Sequence, residues 1–242
     1  MASAFDVTAP TTNENKTGRD ASSLTSGYSV AETVGIGLAL VSLIVVTVGG
    51  NLLVCVTIGT DRKLRTATNY FLLSLAVTDL LLGCTVLPVS AFATLNGDRA
   101  WTLGGAAFCN VYISTDVMLC TASILILFAI SLDRYFAVCR PFRYHNTVSV
   151  RLVWRVNAGV WVFSALVGFV PIHAGWNTVD GSVQNWAEPD KCVFQLNVFY
   201  VLVIAGGTYF LPLAVMCTVY FKILRVSRKQ VKLNQPVVLV ML

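Results

Sequence analysis

Charged residues punctuate this chain so sparsely that they fix its solvent. From Thr33 to Thr60 there are 28 residues without a charge. The 32 residues between Arg65 and Asp98 hold one, Asp79, and the 33 between Arg99 and Asp133 hold one, Asp116. Val156–Val179 and Cys192–Phe221 hold none over 24 and 30 residues. A membrane helix needs about 20 largely apolar residues, so each of the five windows is long enough to span. A helix also satisfies its own backbone polar groups, which lipid cannot do. The strict alternation of a membrane β-barrel is missing. The expected fold is therefore an all-α bundle of five transmembrane helices, over about 33–60, 67–96, 105–138, 152–176 and 195–225.

Composition agrees. Of 242 residues, 56% are hydrophobic and 12% charged, about half the charge fraction of a soluble domain. Thirteen of the 17 Lys and Arg fall after the first, third and fifth windows; only Lys16, Arg19, Arg99 and Lys191 lie on the opposite side. The basic side is cytoplasmic by the positive-inside rule, which puts the N-terminus outside. The net charge of +5 is thus a topology signal, and no nucleic-acid partner is expected. Residues 1–32 read as a polar extracellular tail and 33–230 as the membrane domain, with the first helix acting as an uncleaved signal anchor. Residues 231–242 read as an atypical cytoplasmic tail. Asn15-Lys16-Thr17 fits the glycosylation acceptor pattern.

Asp79 and Asp116 stand out, because a carboxylate inside a bilayer normally faces a cavity or a partner. Asp79, beside Ser74 and Thr78, suits a structural or ion-binding role. Asp116 lies seven residues past Cys109, roughly 10 Å below the outer end of its helix, and Asp133 lies roughly 25 Å deeper. A shallow carboxylate ringed by Ser114, Thr115, Cys120 and Thr121 suits a small cation; a proton relay would want a second acid or histidine within a turn. Cys109 and Cys192 both fall on the oxidising side, so a disulfide is expected. Cys55, Cys84, Cys120, Cys139 and Cys217 fall in the membrane or inside, and no CxxC spacing supports a metal site. No cofactor motif is present. His145 and His173 lie on opposite sides of the membrane, which argues against a catalytic triad. A transporter half would show broken helices and inverted repeats, and neither is visible.

Gly50-Asn51, Leu75 to Asp79, Trp101 to Gly104, Asp133-Arg134-Tyr135, Trp161, Pro212 and Tyr220 recur in order and at the spacing of a known family. The chain resembles rhodopsin-like (class A) G-protein-coupled receptors of the aminergic branch. Ser114 to Ser123 is similar to β-adrenergic and histamine type-2 receptors, and Ile172 to Trp176 leans toward the latter. The resemblance covers roughly residues 30–230. It implies a plasma-membrane receptor that transmits binding of an extracellular amine to a heterotrimeric G protein. It implies that Asp116 pairs with the amine and that Val117, Cys120, Thr121, Ile204 and Thr208 line the pocket. Asp79, Asn51 and Ser123 would form a sodium site. Asp133, Arg134, Tyr135, Phe142 and Tyr220 would serve G-protein coupling, and Cys109 with Cys192 would be the family's shared disulfide. Where catechol receptors carry serines and the histamine type-2 receptor an Asp, this chain has Ile204 and Ala205, with only Thr208 kept polar. The chain ends after five of seven expected helices, without a Cys-Trp-x-Pro or Asn-Pro-x-x-Tyr element. A truncated, non-signalling isoform that associates with full-length receptors, as a receptor dimer, is the alternative this implies.

Overall fold

The computed structural model describes residues 29–96, 104–141, 144, 148–187 and 191–240, with side chains to residue 228. Asn15, Trp101, Phe142 and His145 lie outside the described residues. Five helices within this set are long and apolar enough to cross a membrane. They are α1 (Val30–Thr60), α2 (Ala67–Asn96), α3 (Gly105–Cys139), α4 (Val150–His173) and α5, which runs from Val198 to Val240. Their ends are called outer and inner by the basic-residue asymmetry above.

The helix starts follow local capping. Ser29 accepts from the Glu32 N–H at 3.3 Å and its own N–H reaches Glu32 Oε2 at 2.8 Å, a capping box that satisfies two otherwise orphaned donors. This box starts α1 at Val30, earlier than the expected 33, because Glu32 belongs to the first turn. Ser149 and Asn197 cap α4 and α5 by accepting from the Leu152 and Tyr200 N–H groups, which moves those starts to 150 and 198. The stop of α4 falls at His173 and not at 176. Gly175, at φ +72°, takes the left-handed position, and the Trp176 N–H bonds back to Pro171 O at 2.9 Å, the usual glycine-terminated closure. At the other end α5 continues past 225 to Val240, so residues 231–240 are helical where a tail was expected. No glycine interrupts Leu211–Val240 to stop it.

Two helices widen in mid-course. Leu82–Val86 in α2 and Gly206–Phe210 in α5 each form a π turn. Each turn lies just before a proline, Pro88 or Pro212, whose ring has no N–H and crowds the carbonyl four residues back. The extra residue in the turn relieves that clash.

The third helix is the hub, in contact with α2, α4 and α5, while α1 lies mainly on α2. An outer core joins Cys109, Ile113 and Ile172, with Val117, Cys192 and Phe194 against them. An inner core joins Phe71, Ile126 and Val153. Without a hydrophobic drive between helices in lipid, close backbone approach and interhelical hydrogen bonds carry the association. A Cβ added at Gly168 of α4 would sit 2.6 Å from Ser114 O of α3. Trp161 Nε1 of α4 donates to Ser74 Oγ of α2 at 3.1 Å.

Candidate functional site

The outer end of α3 carries the first constellation. Gly104 and Gly105 open the helix, and Cys109, one turn in, is joined to Cys192 with a Cα–Cα distance of 5.6 Å. The disulfide fastens the loop after α4 onto α3, as the topology predicted. Asp116 lies seven residues further along and is half-buried. Its one side-chain hydrogen bond among those described comes from the Cys120 thiol, 3.5 Å from Oδ1. Among the described residues no cation pairs with it, whereas Asp133 does pair with Arg134. A half-buried carboxylate held against one weak thiol donor keeps most of its accepting capacity for another group.

The neighbours of Asp116 divide between roles. Ser114 and Thr121 are buried, and Thr115 turns its hydroxyl back to Val111 O at 2.7 Å. Val117 packs on the outer core with Phe194. His173, at the outer end of α4, stacks on Phe169 and places Nδ1 3.5 Å from Ser114 Oγ. On α5, Thr208 sits in the π turn and donates to Ile204 O at 2.6 Å. Ile204 lines a crevice of about 530 Å³ between α4 and α5 with Val170, Phe199, Tyr200 and Val203. Asp116 is not part of that lining, which is nearly all hydrocarbon. A cation finds no partner there, so the crevice is not the site its volume alone would suggest.

A second constellation lies in mid-bundle. Ser123 Oγ of α3 donates to Asp79 Oδ1 of α2 at 3.2 Å. Asn51, expected beside them, bonds within its own helix to Thr47 O at 2.9 Å.

The third lies at the inner end of α3. Asp133 is 5% exposed and accepts from three sides. Thr68 Oγ1 of α2 reaches Oδ2 at 2.7 Å, Tyr144 Oη reaches Oδ1 at 3.0 Å, and the exposed Arg134 pairs with Oδ2 at 3.1 Å. Burial together with the Asp133 carboxylate holds the Tyr144 phenol above its ordinary pKa, so it stays a donor. Tyr135 turns to Phe136, with ring centroids 5.6 Å apart, and Tyr220 is exposed on α5. Thr68 and Tyr144 escaped sequence reasoning because neither breaks the apolar pattern; only the fold brings them to Asp133.

Comparison with known proteins adds the family. The profile described as "7 transmembrane receptor (rhodopsin family)" matches residues 50–236. The histamine H2 receptors of Rattus norvegicus and Homo sapiens are each 46% identical over 204 residues, which covers 84% of this chain and 56% of theirs. The octopamine receptor beta-3R of Drosophila melanogaster is 38% identical over 197 residues, 81% of this chain and 16% of that receptor. The chain thus spans about half the length of the curated histamine receptors it matches.

Proposed function

Because the chain belongs to the rhodopsin family of seven-transmembrane receptors, we propose that it serves as the amine-binding part of a receptor that signals to a G protein. The observation that carries this reading is Asp116: a half-buried carboxylate near the outer end of α3 with a thiol as its hydrogen-bond donor and no Lys, Arg or His side chain paired with it among the described residues. A protonated amine supplies the missing charge and donors, and a charge-assisted bond of that kind is about twice as strong as a neutral one. The names of the similar receptors, for histamine and octopamine, favour the same ligand class. Ile204 and Ala205 present no side-chain polar group, and Thr208 already spends its hydroxyl on Ile204 O. If these α5 positions face the amine as the family resemblance implies, an amine with an apolar far end suits them better than a catechol or an imidazole, whose polar groups would lose their water without replacement.

Binding acts by population shift. An amine that prefers the signalling arrangement moves the equilibrium by its difference in affinity. At the inner face, Thr68, Tyr144 and Arg134 all hold Asp133; release of Arg134 from this cluster exposes it to a G protein, and Tyr135, Phe142 and Tyr220 share the coupling role. The Asp79–Ser123 pair, with Asn51, is the candidate sodium site between the two ends. The protein is multi-pass in the plasma membrane, with its N-terminus and Asn15 outside. The idea of a receptor dimer draws no support from the fold or the relatives.

The test is specific binding of a radiolabelled amine to membranes carrying the protein. Asp116→Ala abolishes it and Asp116→Glu retains a weakened form. Unchanged affinity in Asp116→Ala removes the pocket from the proposal.

A further inference from the structure

The loop between α4 and α5, together with Asn110 of α3, contains a set of side-chain amides that the receptor reading leaves unused. Asn177, Gln184 and Asn110 are 0%, 1% and 2% exposed, and Asn185 is 8% exposed. Burying four carboxamides is costly unless they bond to one another or to backbone. They do both. Gln184 Oε1 accepts from Asn177 Nδ2 at 2.7 Å and from the Gln195 N–H at 3.0 Å. Asn177 Nδ2 also donates to Gln195 O at 2.9 Å. Asn185 Oδ1 accepts from the Val193 N–H at 2.9 Å, while its Nδ2 donates to Asn110 Oδ1 of α3 at 2.9 Å and also touches the disulfide sulfur Cys109 Sγ at 3.2 Å, so that the grip on Val193 through Oδ1 does not itself run through the sulfur. Asn110 Nδ2 closes the ring on Gln184 O at 3.0 Å. Asn185 takes a left-handed φ of 66° to make this reach, a conformation that asparagine tolerates better than most residues.

The backbone so gripped is Val193–Gln195, the segment that follows Cys192. Its central residue, Phe194, packs on the same outer core as Val117, the neighbour of Asp116. We infer that Asn110, Asn177, Gln184 and Asn185 form a carboxamide clamp that fixes Val193–Gln195 as one wall of the Asp116 site, and that this clamp holds without the disulfide. Gln184 and Asn185 are then positioning residues for the ligand, acting through the backbone they bind. The wall's role rests on the Asp116 reading; the clamp does not.

Gln184 provides the discriminating variants. Its Oε1 does the bonding, whereas its Nε2 has no partner among the described residues. Gln184→Glu keeps the accepting oxygen; Gln184→Met keeps the length and loses it. Amide hydrogen exchange of the full chain in lipid nanodiscs, read at Val193–Gln195, is the measurement. Gln184→Met and Asn185→Ala accelerate exchange there by about tenfold or more, the loss of a bond that had protected the amide. Gln184→Glu stays within about threefold of the parent, as does the disulfide-free Cys109→Ser/Cys192→Ser pair. Exchange in α1 serves as the control for global unfolding. The clamp is overturned if Gln184→Met exchanges like the parent, if Gln184→Glu accelerates as much as Gln184→Met, or if disulfide removal alone gives the full acceleration. An Asp116→Ala protein that still binds amine would sink the pocket reading and leave this exchange pattern untouched, so the two failures are distinguishable.

Discussion

Thr68 on α2 and Asp133 on α3, 65 residues apart in sequence, meet at 2.7 Å. The bond crosses the inner face and reaches a carboxylate that also holds Arg134 at 3.1 Å. A hydrogen bond to a charged group contributes about 1.5–3 kcal/mol, enough to bias which way the arginine side chain lies. Thr68→Val removes it with little change of shape. Basal nucleotide exchange on a co-expressed G protein should then rise by about fivefold or more, while Thr68→Ser stays at the parental level. Equal basal rates in Thr68→Val and the parent would count against the restraint.

Gly168 is where α4 comes closest to α3. A methyl group there would meet Ser114 O at 2.6 Å and Met118 N at 2.9 Å, both backbone atoms that cannot rotate away. Gly168→Ala should cost about 1–3 kcal/mol through forced separation of the helices. The check is thermal unfolding in detergent micelles. A parental midpoint would mean that the two helices have room to part.

Gly175 ends α4 at φ +72°, and a Cβ there would also run into Gly181 O. The left-handed conformation alone costs a side-chain-bearing residue about 1–2 kcal/mol. Gly175→Ala should therefore lower both the unfolding midpoint and the fraction of chain at the cell surface. Gly181→Ala, with the same sign of φ but open space around its Cβ, should do less. The order of the two variants is the result to read.

Asp79→Asn keeps the shape of the Asp79–Ser123 contact at 3.2 Å and deletes the charge. If Asp79 holds sodium as proposed, amine affinity titrated with sodium chloride against an organic cation depends on sodium in the parent and not in this variant. A mutant curve that overlays the parental one excludes a sodium site at Asp79.

The membrane helices were readable because lipid imposes one constraint on every residue of a span, and charge-free windows report it directly. The Cys109–Cys192 bond was readable for a related reason, since topology sorts cysteines by compartment. Helix ends were read less well: Glu32 counts as a tail charge until Ser29 is seen to cap with it. Asp116 was conspicuous as a charge in an apolar run. Asn177, Gln184 and Asn185 were not, because uncharged amides in a polar loop look the same whether solvated or buried. Their partners at 110, 193 and 195 are set only by the closed loop.

The π turn at Gly206–Phe210 amounts to one surplus residue, and one residue turns a helix by about 100°. The stretch before it and the stretch after it therefore keep separate angular registers along a single rod. Deleting either Gly206 or Gly207 would swing Val198–Ala205 around its axis relative to the segment from Leu211 onward, and aim a different stripe of side chains at α3. The outer half of α5 can in this way be re-aimed at α3 while its inner half stays as it was.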